Sequence, residues 1–139
     1  MTNETLRNGQ GAISQRCPVP AKRGAAVNEE TLKLILDSFP FPIVFVDAHH
    51  TIQFLNRRAE FHYYKERGYR DLIGKSLFEC HNEKSKEEIL KIVEKLENHG
   101  REAFLGVTSR NERLYVTPVR DETGRFVGYF ERFEPNFQK

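Results

Sequence analysis

Cys80 and His81 stand side by side in GKSLFECHNEKS, residues 74–85, where a loop-rich segment gives way to a long amphipathic helix. A histidine at the mouth of a helix that covers a sheet has two roles open to it. A neutral imidazole can ligate a cofactor when its second nitrogen has a hydrogen-bond partner and its surroundings are apolar. Otherwise its ring bonds to a free backbone group at the helix start and acts only as a cap. What the chain does depends largely on which of these His81 performs.

Other residues with chemical potential are less well grouped. His49, His50 and His62 are expected at the surface rather than on a metal, because adjacent side chains on a turn point apart. His99, at the end of the long helix, suits the negative end of the helix dipole. Cys80 is expected as a small buried hydrophobe, and Cys17 precedes Pro18 in a polar tail. Arg57, Arg58, Lys65, Arg67 and Arg70 surround Tyr63, Tyr64 and Tyr69; a solvated helix face is the expected reading of this stretch. No phosphate-binding glycine loop, nucleophile elbow or zinc-protease motif occurs.

The elements that must position these residues follow from composition and periodicity. A chain of 139 residues suffices for one domain with a real core. Aromatics are 12% of the chain without any Trp, and 11 Phe point to a Phe-rich interior. The net charge of +2 is too small to imply direct nucleic-acid binding. No apolar run approaches the length of a membrane span, and residues 1–26 lack the apolar stretch of a signal peptide. The two cysteines form neither a CxxC pair nor a disulfide framework. A reduced, cytoplasmic protein with no membrane contact is therefore expected.

Residues 1–26 hold few apolar side chains and are expected to form a flexible tail, with the ordered domain at 27–139. Asn28 can cap a helix over 28–39, whose stripe is Leu32, Ile35, Leu36 and Phe39. Residues 42–47 and 51–55 read as two strands. The Ala48-His49-His50 link between them lacks glycine, so His49 or His50 must take a positive φ. Asn56 caps a short helix over 57–64. The long helix is expected to start near Ser85, which makes a capping box with Glu88, and to stop at Gly100. Its stripe is Ile89, Ile92, Val93 and Leu96; continued backwards, it points His81 toward the sheet. Residues 102–108, 113–120 and 125–133 read as three strands joined by short turns, hence antiparallel neighbours. The order β-β, helices, β-β-β describes an α+β domain with helices on one face of one sheet.

The succession LILDSFPFPIVFVDAHHTIQFLNRRAE, then DLIGKSLFEC, then a long helix and three strands ending DETGRFVGYFERFE, resembles a PAS domain over residues 30–134. That resemblance implies a five-stranded antiparallel sheet of strand order 2-1-5-4-3, with helices packed over one face. It also implies a pocket between the long helix and the sheet, and a sensory or dimerising role without catalysis. The sequence departs from the usual pattern at the hairpin, where His49-His50 replaces glycine.

CHNEKS is similar to a PAS subgroup in which a C/L-H-P-x-K-S sequence opens the same helix. That subgroup includes haem-binding, carbon-monoxide-responsive bacterial regulators, and His81 matches their iron-ligating histidine. The resemblance thus implies haem b, with His81 as metal ligand, in gas or redox sensing. Phe78, Ile89, Ile92, Phe104, Leu114, Val116 and Phe130 are the expected apolar walls. Asn82 stands where the subgroup has Pro, and Met1 is the only Met, so the subgroup's opposite ligand has no counterpart. His99, Cys80 and Cys17 are the remaining candidates. There is no CxxCH for covalent attachment. A photosensory flavin-adduct cysteine motif is absent too.

A second reading stays open at this level. The domain can be a cofactor-free interaction module that pairs as a homodimer through Leu32, Leu36 and Phe39 of its first helix, in an isologous contact. Either way it would serve an effector domain or protein that the sequence does not identify.

Overall fold

The computed structural model describes residues 24, 26–98 and 100–137, apart from the side chain of Cys80. The expected tail over residues 1–26, with Cys17, and the candidate ligand His99 lie almost wholly outside them. By its internal contacts the chain parts between Leu32 and Lys33, within the first helix.

That helix, α1 (Glu29–Asp37), begins as its sequence dictates. The Asn28 side chain accepts from the Thr31 amide at 2.9 Å, satisfying one of the free donors of the first turn. The next strands are β1 (Ile43–Asp47) and β2 (Ile52–Leu55). Between them His50 takes the positive φ that the glycine-free turn requires, at 64°. The Asp47 carboxylate holds the turn by accepting from the amides of His49 and Thr51, at 2.8 and 3.0 Å. His50 is not a plain surface histidine as expected: its Nδ1 lies 3.0 Å from the buried hydroxyl of Tyr129.

Asn56 caps α2 (Arg57–Glu60), its side chain accepting from the Ala59 amide. The helix expected over 57–64 changes pitch here. From Phe61 to Glu66 it continues as a π-helix, whose wider turn carries Arg67 N–H to the His62 carbonyl. A short 3-10 helix, Leu77–Cys80, then leads into α3 (Glu83–Asn98). The cap of α3 is Asn82, three residues before the expected Ser85: Asn82 Oδ1 accepts from the Ser85 amide at 2.8 Å. Asn outranks a residue already inside the helix because only a non-helical residue can turn its side chain back on the first-turn amides.

β3 (Ala103–Val107), β4 (Glu112–Arg120) and β5 (Phe126–Pro135) complete one antiparallel sheet in the order β2-β1-β5-β4-β3. Its helix-facing side carries Val44, Val46, Val116 and Tyr129, which pack with Val93 and Leu96 of α3 into the core. Gly128 lets β5 approach β1 closely: a Cβ there would overlap the Val46 carbonyl and the Phe45 ring. The opposite side is apolar as well, with Phe45, Phe54 and Phe130 along a groove beside Phe39. Toward the other edge this face turns polar, where Arg132 pairs with Glu102 at 2.7 Å and Glu134 at 2.9 Å.

Candidate functional site

Between the sheet, the π-helical segment and the stretch from Tyr69 to His81 lies a cavity of about 160 Å³, with His81 on its wall; the long helix, under which the pocket was expected, contributes no lining residue. The cavity's apolar part is Val44, Ile52, Leu55, Leu72 and Leu77; its polar part is Tyr63, Arg67, Tyr69, His81 and Glu131. Tyr63, Arg67, His81 and Glu131 also line a wider, more open groove of about 490 Å³ beside it, so these four residues form the junction between the two spaces.

Each junction residue is placed by its local structure. β5 alternates Tyr129, Glu131 and Phe133 on its helix-facing side, which sets a carboxyl where an apolar residue would be usual. Glu131 pairs across the ladders with Val44 on β1 and Val116 on β4, so it stands in mid-sheet. Burial pushes its carboxyl above the ordinary carboxylate range, while the adjacent His81 and a hydrogen bond from the Tyr63 hydroxyl act against that rise. Tyr63 comes from the π-helical segment, whose change of pitch rotates its ring relative to an α-helical continuation. Arg67, at the end of that segment, lies over the rings of Tyr63 and Tyr69, 5.9 and 5.2 Å from their centroids.

His81 lines the cavity, and its ring bonds to the backbone of the 3-10 helix rather than to the start of α3, whose cap is Asn82. The Nδ1 of His81 stands 2.8 Å from the carbonyl oxygen of Leu77, the first residue of the 3-10 helix. A carbonyl only accepts, so Nδ1 carries the proton, and in the neutral ring Nε2 is an acceptor. A carboxylate and an imidazole acceptor therefore stand next to each other at the junction.

The residues expected as walls separate into three groups. His81 and Leu114 line the groove together. Phe78, Ile89, Ile92 and Val116 lie on the helix side but do not line either space: Phe78 packs on the His50 ring at 4.8 Å, and Ile89 and Ile92 pack on the core that contains Val116. Phe104 and Phe130 are on the opposite face of the sheet. Phe104 is 51% exposed beside Tyr115, and Phe130 lines the outer groove with Phe45 and Phe54. Because both sheet faces are apolar, residue type alone did not reveal which Phe faces the helices.

Sequence reasoning missed Glu131, Tyr63, Tyr69 and Arg67 as a set. The basic, tyrosine-rich stretch read as a solvated face in fact supplies one wall. Glu131 carried a legible signal, since it falls between Tyr129 and Phe133 at the period of a strand face. Among the described residues no group of three or more His, Cys, Asp or Glu side chains could hold a metal ion, and His49, His50 and His62 do not converge. No described helix is long and apolar enough to cross a membrane.

Comparison with known proteins agrees with this architecture. A family model described as a PAS domain matches residues 32–134. A C-terminal domain from Streptococcus mutans superposes with a TM-score of 0.67 at 24% identity, over 85% of this chain and 90% of that one. The PAS domain of a protein from Colwellia psychrerythraea gives 0.55 at 19% identity, over 79% and 98%. A sensory box sensor histidine kinase from Vibrio cholerae gives 0.53 at 14%, over 97% of each chain. At these identities the likeness is one of fold. No curated protein matches the chain.

Proposed function

Because this chain belongs to the PAS domain family, we propose that it is a sensory domain that binds a small molecule in the His81–Glu131 cavity and relays binding to a separate effector. One observation carries this reading: a cavity whose lining is half aliphatic holds a carboxyl, an imidazole and a phenol close to one another. Such a combination fixes the orientation of a ligand, whereas a filled core has no use for a buried carboxyl. The role requires no catalysis, and none is proposed.

The relay is built into β5. Neighbouring residues on a strand face opposite ways, so Glu131 points at the ligand while Phe130 and Arg132 belong to the outer face. A ligand that draws on Glu131 moves a strand whose other side is the outer groove. The end of α1 is tied to the same sheet: the Asn56 side chain donates to the carbonyls of Leu36 and Phe41, and Asp37 accepts from the Arg57 amide. Both routes lead to the surface that carries Leu36 and Phe39.

Haem b with His81 as axial ligand is the specific form that the sequence suggested. The Nδ1–Leu77 bond gives the imidazole the tautomer an iron ligand needs. The space around it does not fit the group. The cavity of about 160 Å³ is well below the ~300 Å³ or more of pockets for ligands of drug size. The adjoining groove is wide enough, but Arg110, Glu112, Ser109 and Thr108 line it, and of the expected apolar walls Leu114 alone is among its lining residues. The Glu131 carboxyl, moreover, stands beside the imidazole. Haemin titration of the purified domain, with His81→Ala alongside, tests this. A broad, unsaturable absorption identical in both proteins is expected; a sharp stoichiometric Soret band that weakens in the variant would restore the haem reading.

A second reading is favoured by the outer groove, about 530 Å³, lined by Leu36, Phe39, Phe41, Phe45, Phe54 and Phe130. Phe39 is 49% exposed there, and Leu32 earlier in α1 is 45% exposed. A homodimer through Leu32, Leu36 and Phe39 would cover these side chains. This role is compatible with ligand sensing. Sedimentation of the domain with and without Phe39→Glu separates them: a dimer lost in the variant is the expected result, and a monomer throughout removes the pairing.

A further inference from the structure

We propose that the turn between β3 and β4 relays a change at the cavity wall to the chain that leaves β5, through Glu66, Arg110, Asn111 and Asn136. The proposal rests on the reading that the cavity is the ligand site, and it names a route by which occupancy leaves it.

The first link starts on the cavity wall. Tyr63 and Arg67 line the cavity, and Glu66 belongs to the same π-helical segment, Phe61–Glu66. Its carboxylate reaches the neighbouring turn: Oε2 accepts from Arg110 Nη2 at 2.6 Å, while Oε1 lies 3.1 Å from His62 Nδ1. The turn and the π-helical segment both line the groove beside the cavity, through Thr108, Ser109 and Arg110 on the one and His62 and Tyr63 on the other. Both partners of the Glu66–Arg110 pair are partly exposed, and an exposed ion pair is weak. A small displacement of the π-helical segment therefore suffices to release the turn.

The turn itself is stiff. The Thr108 amide donates to the Glu112 carbonyl at 2.8 Å and the Asn111 amide to the Thr108 carbonyl at 2.9 Å. Thr108 Oγ1 accepts from the amides of Arg110 and Glu112, at 3.2 and 3.3 Å. A turn bonded in this way moves as a unit, so Arg110 and Asn111 shift together.

The second link leaves the turn at Asn111, whose φ of 60° is a left-handed value that Asn tolerates. Glycine would hold that φ as well, but it has no side chain to bond. Asn111 Nδ2 donates to the Asn136 carbonyl at 3.0 Å, and Asn111 Oδ1 accepts from Asn136 Nδ2 at 3.0 Å. The Asn136 amide in turn donates to the Asn111 carbonyl at 3.1 Å. Three hydrogen bonds thus tie the turn to the residue just after β5, where Pro135 has no N–H to extend the ladder. A turn that only joined β3 to β4 would need its internal bonds and the positive φ. It would need neither the Arg110–Glu66 pair nor the mutual amide bonds to Asn136.

Amide hydrogen exchange of the protein, read by NMR with no ligand added, tests the route. Glu66→Ala cuts the first link, and Asn111→Gly cuts the side-chain bonds of the second while keeping the positive φ. Glu66→Ala should speed exchange at the amides of both Asn111 and Asn136 by roughly threefold, the range open to an exposed ion pair. Arg110→Ala should reproduce that result, and high salt should approach it. Combined with Asn111→Gly, Glu66→Ala should no longer change exchange at Asn136, since the coupling of the two sites is what the double variant removes. Faster exchange at Asn111 without any at Asn136, unchanged exchange at both, or an Asn136 response that survives Asn111→Gly would overturn the relay. None of these outcomes involves a ligand, so a failure of the cavity as a ligand site, read by titration, is distinguishable from a failure of this route.

Discussion

His81 Nδ1 and the carbonyl oxygen of Leu77, 2.8 Å apart, join the wall of the cavity to the short helix that leads into α3. The same ring bonds the backbone and lines the cavity, so a backbone bond and a place on the cavity wall are not exclusive. Replacing His81 with Ala should therefore lower stability by about 1 kcal/mol, the worth of one part-buried side-chain to backbone bond. It also removes a neighbour that favours ionised Glu131. Urea denaturation of the two proteins measures the first effect.

The second prediction concerns pH. Burial raises the Glu131 carboxyl above 4.5 in the folded state, the outcome after His81 and Tyr63 have opposed it. Between the ordinary and the raised value the native protein holds a proton that the unfolded chain has already lost. Stability contributed by this group is thus fully present below pH about 4.5 and is lost as pH rises through the folded value. Glu131→Gln should flatten this part of the profile and be the more stable protein at the alkaline end of it. Denaturation midpoints taken at pH steps from 4 to 8, for both proteins, give the slope.

The cap of α3 gives a third. Asn82→Ala should cost about 1 kcal/mol, because it frees the Ser85 amide, whereas Ser85→Ala should cost far less. Equal losses from the two variants would mean that the capping box of Ser85 and Glu88 operates after all.

The positions of the strands, a positive φ at His49 or His50 and the caps at Asn28 and Asn56 were all legible in the sequence, because turn and cap chemistry act over a few residues. The strand order came from family likeness, since short links show only which strands are antiparallel neighbours. The site was legible in one residue, His81. Two features hid its other walls. The sheet is apolar on both faces, so alternation could not assign Phe104 and Phe130 to the outer one. The basic residues around Tyr63 masked its place against the core, although it follows the buried Ala59 by four residues and so shares its helix face.

Asn56 supports a fourth prediction. It is fully buried, and its side chain makes four hydrogen bonds, accepting from the amides of Ile43 and Ala59 and donating to the carbonyls of Leu36 and Phe41. Asn56→Ala would strand four backbone groups, of which each left buried costs ~1–3 kcal/mol. A loss of about 3 kcal/mol or more is expected, together with faster amide exchange at the end of α1. Asn56→Asp keeps the acceptors but not the donors, and should release the α1 end while sparing the β1–α2 contact. Hydrogen exchange at the amides of Ile43 and Ala59 separates these outcomes.

The central claim is that a small molecule enters between the helices and the sheet at Glu131 and His81. Methyl NMR spectra of the domain, recorded during titration with compounds of up to about ten heavy atoms, test it most directly. Saturable shifts are predicted at the methyl groups of Val44, Ile52, Leu55, Leu72 and Leu77, and they should disappear when Leu72→Phe fills the space. Shifts confined to the neighbours of Phe45, Phe54 and Phe130, or no saturable shift with any compound, would contradict a sensory cavity and leave the domain as an interaction module.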